Sequence, residues 1–221
     1  MKHIIFFPGW SEQSTQFSEL FALMRQDGWT IHSLNHSHSR HRDSSFILDD
    51  KTIEARKLLE KIPADEHCLV IGHSVGCLQA ALIADHPKVD EVLMFSPVGV
   101  TPQFNVLSFV VRFLCKQVYD LLRALSGRIS AKHYATHSFF GTKHFFTEPS
   151  RALRELLIVT RGHSVRIEKP LYIILPRYDP LLNVSLLKRT FLQAKFVYTS
   201  GGHDELLYRP AETYEIVRRM R

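Results

Sequence analysis

A chain of 221 residues, 45% hydrophobic and 23% charged, is long enough to bury one sizeable core and too short for two average domains. Its three cysteines (Cys68, Cys77, Cys115) form no CxxC pair, which excludes a disulfide scaffold and predicts reduced thiols in a cytoplasmic setting. The formal net charge of +6 falls in one segment, residues 98–168, where ten Lys/Arg stand against four acids and the remainder is neutral. That distribution predicts a solvated basic surface, with weak attraction to acidic surfaces as the sharper reading, and no nucleic-acid partner. The opening MKHIIFFPGW has too short an apolar run for a signal peptide, and no run reaches the roughly 18 residues of a membrane span.

Taken in chain order, residues 2–7 form a continuous apolar run, the pattern of a buried strand. Over 15–26, Phe17, Leu20, Phe21 and Met24 recur at helical spacing. A strand over 29–34 leads to a polar loop, 35–45, and an amphipathic helix over 46–61 stops before Pro63. Residues 67–71 read as a second buried strand, 72–76 as a turn and 77–85 as a helix. A strand at 91–95 ends in Ser96-Pro97. After the segment 98–168 come a strand at 170–175, a helix at 185–192, a strand at 195–199 and a last helix at 211–219. Strands alternating with helices predict an α/β fold, with about six mainly parallel strands and helices on both faces. Residues 1–221 read as one domain. Within it, 98–168 reads as a helical cap packed over the sheet, because its apolar positions (among them Phe109, Phe113, Leu114, Val118) repeat at helical spacing over 104–125.

The chemistry concentrates at GHSVG, residues 72–76, between the strand run and a helix. In a strand–turn–helix context the turn holds Ser74 strained with its Oγ exposed, and small residues two before and two after it allow close backbone approach. A serine hydroxyl needs a base. His203 follows Gly201-Gly202 directly after the strand at 195–199, a loop able to fold back over the sheet edge. His73 adjoins Ser74 but is expected to point away from it. His3 and His67 belong to the opposite edge. The base needs a carboxylate to fix its tautomer. Asp179, in PRYDPLL after the strand at 170–175, is favoured by placement, and Asp204 is the runner-up. The oxyanion donors expected are the backbone N–H groups of Val75 and of Trp10, the latter in the Pro8-Gly9-Trp10 loop after the first strand. Histidines 36, 38 and 41 with Asp43 are weighed as a zinc loop, and their sparse acidic company argues against it. No metal is expected.

The strand-PGW, GHSVG, YDPLL and GGHDEL segments, in this order and spread over essentially the whole chain, resemble the α/β-hydrolase superfamily. The resemblance implies a cofactor-free hydrolase with a cap after the strand that follows the nucleophile helix. It also implies oxyanion loop, nucleophile, acid and base at those four segments. Two features depart from the pattern: Pro8 stands where many relatives carry His, and the sheet lacks two leading strands. A serine nucleophile argues against dehalogenases and epoxide hydrolases, which attack with Asp. The expected reaction is hydrolysis of a small or medium hydrophobic carboxylic ester, with Phe109 and Phe113 among seven cap phenylalanines lining the acyl pocket. Lactonase, thioesterase and carbon–carbon hydrolase chemistry use the same triad, and a catalytically idle ligand-binding module is the rival of another class.

Overall fold

The computed structural model describes residues 2–10, 12–34, 45–101, 105–147 and 149–219. Six strands form one sheet: β1 (Lys2–Phe7), β2 (Trp29–Ser33), β3 (His67–His73), β4 (Val89–Phe95), β5 (Leu171–Pro176) and β6 (Lys195–Thr199). Every neighbouring pair is parallel, in the order β2-β1-β3-β4-β5-β6. The apolar run of β1 is explained by burial on both faces. Ile5 and Phe7 join the core on one side, Ile4 and Phe6 the core on the other. One side is closed by α2 (Ser45–Lys61), α3 (Gly76–Ile83) and α7 (Val184–Thr190), through residues such as Leu59, Leu78 and Leu187. The other is closed by α1 (Ser18–Gln26), α8 (Glu205–Tyr208) and α9 (Pro210–Arg219), through Leu20, Met24, Leu206 and Tyr214.

The strand order reverses at β1. The chain steps outward to β2 and returns on the other side of β1 to make β3, so the loops after β1 and β3 part and leave a crevice at the carboxyl edge. Open parallel sheets bind ligands at such a point. Ser74 follows β3 and Gly9-Trp10 follow β1, so the sheet order alone places both loops at that crevice.

Between β4 and β5 lie three helices: α4 (Val106–Leu125), α5 (Ala131–Thr147) and α6 (Pro149–Arg161). The region is helical as expected, but α4 is turned the other way. Its buried residues are Phe109, Lys116, Asp120 and Arg123, while Val110, Leu114, Val118, Leu121 and Leu122 are exposed. The expectation that this apolar stripe packs over the sheet is corrected. So is the expectation that the basic residues of the segment face solvent, for Lys116 and Arg123. Among the described residues no helix is long and apolar enough to cross a membrane.

The helix after Ser74 starts close against β1. A Cβ added at Gly76 would lie 2.2 Å from the Phe7 carbonyl oxygen and 2.6 Å from that of Pro8, and both are backbone atoms that cannot swing aside. Gly76→Ala is therefore expected to destabilise the fold by at least about 1–3 kcal/mol, the range for overpacked cores. The urea midpoint checks this; a midpoint equal to the parent's refutes it.

Candidate active site

Ser74 sits in the turn between β3 and α3 with φ +52°, a left-handed conformation rare for a residue with a Cβ. The strain is held by hydrogen bonds on both sides. The Ser74 N–H donates to the Phe95 carbonyl at 2.9 Å, and the Ser74 carbonyl accepts from Cys77 N–H at 3.1 Å and Val98 N–H at 3.2 Å. Gly72 allows the turn to close, since a Cβ there would lie 2.6 Å from the Cys77 Cα.

His203 comes from the loop after β6, three strands away from β3. The loop is strapped across the carboxyl edge by the intervening strands. Tyr178 N–H, after β5, donates to the Gly201 carbonyl at 3.1 Å. Ser96 Oγ, after β4, donates to the His203 carbonyl at 2.8 Å, and Ser96 itself has φ +49°. The imidazole is thereby set between two partners. Its Nε2 lies 2.8 Å from Ser74 Oγ and its Nδ1 2.7 Å from Asp179 Oδ2. Asp179 is further fixed by the Leu181 N–H, which donates to its Oδ1 at 2.9 Å. The structure thus brings Ser74, His203 and Asp179 into one hydrogen-bonded series, and all three side chains are buried or nearly so. Asp204 does not reach the His203 ring nitrogens. It ion-pairs instead with Lys116 of α4, and its Oδ2 lies 3.2 Å from His137 Nε2 of α5.

A cavity of about 370 Å³ opens over Ser74 and His203, at the lower end of the ~300–1,000 Å³ of small-molecule sites. Trp10, Val75, Phe109, Phe113 and Leu156 give it an apolar wall, and Gln117, His137 and Ser138 a polar margin. The Trp10 indole N–H donates to Glu155 of α6, and its ring meets that of Phe113 edge-on at 6.3 Å. Val75 is the residue before α3, so its N–H belongs to the free donors of a helix start. Of the cap phenylalanines, Phe109 and Phe113 line the cavity. Phe139 and Phe146 are exposed, and the pocket assignment for them is corrected. Phe104 and the side chains of Phe140 and Phe145 lie outside the described residues, as do His36, His38, His41 and Asp43.

Sequence reasoning passed over a buried pair behind the relay. His73 is fully buried, with Nδ1 2.8 Å from Glu12 Oε2 and Nε2 3.2 Å from the His203 carbonyl oxygen. Both partners are acceptors, so both ring nitrogens donate and the ring is an imidazolium. Burial alone would lower the His73 pKa. The Glu12 charge and hydrogen bond, Asp204 and the His203 carbonyl outweigh it and raise the value to about 9. Glu12 is correspondingly lowered: burial acts to raise it, and the His73 charge prevails. The same Glu12 carboxylate accepts the Gly9 N–H, so one ion pair joins the loop after β1, the Ser74 turn and the His203 loop. No signal in the sequence marks Glu12 in the loop after β1; only the triplet His73-Ser74-Val75 hinted that His73 lies near the site.

Two sets of ligating side chains come within 4.8 Å of one another among the described residues: His73, His203 and Asp204, and Glu12, His137 and Asp204. Their carboxylates already hold charged partners, Glu12 the His73 imidazolium and Asp204 the Lys116 ammonium. Burial opposes the Asp204 charge, but Lys116 and His137 hold its carboxyl well below the usual carboxylate range.

No family model matches the sequence, and no curated protein is detectably similar to it. Solved structures do match, over nearly the whole chain. A carboxylesterase of the thaumarchaeon Nitrososphaera gargenis superimposes with a TM-score of 0.68 at 15% identity, covering 99% of this chain and 89% of that one. A pyrethroid hydrolase from Sphingobium faniae gives 0.61 at 15% identity, covering 99% and 96%. The thioesterase domain of the curacin biosynthetic pathway gives 0.62 at 17%, covering 98% and 90%. The chain has the α/β-hydrolase fold.

The charge state of His73 has a measurable sign. Its pKa rises from an ordinary 6.5 to about 9 on folding, so its contribution to stability is fully present below about pH 6.5 and is lost as pH rises through about 9. Urea midpoints are therefore expected to fall between pH 7 and pH 9 in the parent. In Glu12→Gln the raising partner is gone, and the slope over that window should flatten. An unchanged slope would place the titration elsewhere.

Proposed function

We propose that this chain is a serine hydrolase that cleaves carboxylic esters of small or medium hydrophobic acids through an acyl-enzyme. The observation that carries the reading is the series Ser74 Oγ, His203 Nε2 and Nδ1, Asp179 Oδ2, with spacings of 2.8 and 2.7 Å, in a left-handed turn beneath an apolar cavity. His203 Nε2 takes the Ser74 proton as Oγ attacks the acyl carbon. Asp179 keeps the other ring proton on Nδ1 and stabilises the imidazolium that forms. The developing oxyanion is received by the Val75 N–H at the start of α3 and by the Trp10 N–H in the loop that Glu12 braces. His203 then returns its proton to the departing alkoxide. In the second half it deprotonates water, which attacks the acyl carbon, and the carboxylic acid leaves as Ser74 recovers its proton. No cofactor enters these steps.

The substrate class rests on the cavity wall. An acyl chain against Trp10, Phe109, Phe113 and Leu156 leaves water, while the ester carbonyl meets the polar floor. The solved structures of like fold include a carboxylesterase, a pyrethroid hydrolase and a thioesterase domain, so the fold accommodates both oxygen and sulfur leaving groups. A panel of nitrophenyl esters of rising chain length, with a thioester and a lactone alongside, sorts these. The ester series is expected to turn over fastest, and a lactone or thioester preferred over every ester would move the assignment to that bond.

Ser74→Ala is expected to abolish labelling by a fluorophosphonate and to lower ester turnover by about 10⁴–10⁶-fold with an unchanged melting temperature. His203→Ala should be nearly as severe and Asp179→Asn somewhat milder, since such residues act as a unit. Turnover that survives in Ser74→Ala would remove the mechanism.

Phe109→Ala and Phe113→Ala test the wall. Each is expected to shift the preferred chain length and to leave short-ester turnover within a few-fold. Apolar discrimination amounts to about 1–3 kcal/mol per methylene, so the shift should be graded. A chain-length profile identical to the parent's would place the acyl chain elsewhere.

A further inference from the structure

Helix α4 presents to solvent an apolar stripe with the spacing of a coiled-coil seam. Leu107, Val111, Leu114, Val118, Leu121 and Leu125 follow one another at alternating steps of four and three, the 3.5-residue repeat that keeps one stripe facing a partner helix. All six are between 41% and 76% exposed. Leucine falls at 107, 114 and 121 and valine at 111 and 118, seven apart in each set. This is the alternation of β-branched and leucine positions that favours two-stranded pairing. Val110, Cys115 and Leu122 widen the stripe. A lone surface leucine is ordinary; a helix five turns long whose outward face is wholly apolar is not.

The chemistry beside the stripe decides what covers it. A helix that lies on an anionic lipid surface carries cations along the margins of its apolar face. The flanking positions here are Ser108, Val110, Cys115, Gln117, Leu122 and Ala124, none of them charged. The three cations of α4 are engaged on its other side. Lys116 pairs with Asp204 and Asp120, Arg123 pairs with Glu205, and Arg112 donates to the Pro180 carbonyl. A solvent-facing apolar stripe with no cation at its margins suits another apolar helix. Scaled to ordinary residue areas, the exposed fractions along the stripe come to on the order of 700 Å² per protomer. That is close to the ~800 Å² each partner gives a standard interface and above the ~300–600 Å² of a typical monomer's largest patch.

We propose that this face is the interface of a homodimer, in which a second copy of this chain packs its own α4 against the first about a two-fold axis. Leu114 belongs both to the seam and to the cavity lining, so the partner helix would back the outer wall of the candidate active site. The inference does not depend on the ester reading, because no catalytic group takes part.

Sedimentation velocity of the full chain across the micromolar range tests it. The expected result is a species of twice the 25.6 kDa chain mass that dissociates on dilution. Val118→Lys, which would bury a charge in the seam without touching the cavity, should weaken association by about 100-fold or more. If that variant folds poorly, Cys115 supplies a second readout in the parent chain, since Cys68 and Cys77 are buried. Its alkylation should slow as concentration rises and the seam closes. A single-chain mass throughout overturns the proposal, and so does a single chain that binds phosphatidylglycerol vesicles through this face. A dimer indifferent to Val118→Lys, with Cys115 alkylation independent of concentration, overturns it as well.

Discussion

The main-chain carbonyl of His203 is the point on which the site depends. β6 lies at the edge of the sheet and Ser74 follows β3, three strands inward, so a loop must carry the imidazole across roughly 14 Å of sheet edge at about 4.8 Å per strand. Two donors catch that carbonyl: Ser96 Oγ from the end of β4 and His73 Nε2 from the end of β3. Each strand end on the way contributes one hydrogen bond, and the last comes from His73, the residue beside Ser74. The distance from His203 Nε2 to Ser74 Oγ is therefore fixed by backbone on both sides, and the left-handed φ of both Ser74 and Ser96 is the local cost of presenting these groups outward.

Behind this carbonyl the protein places charges where most folds place hydrocarbon. Glu12 and His73 are buried together, as are Lys116, Asp120, Asp204, Arg123 and Glu205. Such pairs contribute little net stability, because desolvation offsets their attraction. Breaking one leaves an unpaired charge, at about 3–5 kcal/mol. Their value is directional: an ion pair has one geometry, whereas an apolar contact tolerates sliding. Glu12 takes the Gly9 N–H and the His73 ring at once, so the loop after β1 cannot shift without disturbing the Ser74 turn.

Much of this was legible in the sequence because it is local. Runs such as Ile4–Phe7 are apolar at every position since both sheet faces are covered, and the strand–GHSVG–helix context announces the turn by its own steric needs. Asp179 was legible by placement, at the carboxyl end of a strand between serine and histidine. Helix α4 was not legible in the same way. Periodicity shows that one of its faces is apolar, but not which face meets the body of the protein. Burial of Lys116 and Arg123 becomes favourable only where Asp204 and Glu205 wait, eighty residues further along the chain. Glu12 and His73 escaped for the same reason, since a long-range ion pair leaves no mark on spacing or composition.

The inside-out packing of α4 also limits how the cavity can be entered. Phe109 and Phe113 reach the cavity, Lys116 and Arg123 reach the loop that carries His203, and the remaining face points outward. Lifting the helix as a body would separate Lys116 from Asp204 and Arg123 from Glu205, whose nitrogen–oxygen distance is 2.5 Å. At about 3–5 kcal/mol for each stranded pair, the lifted state would hold well under one molecule in a hundred. It would also slacken the loop that aims His203. An opening of that kind would loosen the hydrogen-bonded series of Ser74, His203 and Asp179. Side chains that carry no ion pair can move at far lower cost, and Leu114 is one of them, lining the cavity while 58% exposed. In the single chain, entry through rotamer changes at Leu114 would leave the charged anchors of α4 undisturbed, whereas the proposed dimer covers Leu114 and would close that route.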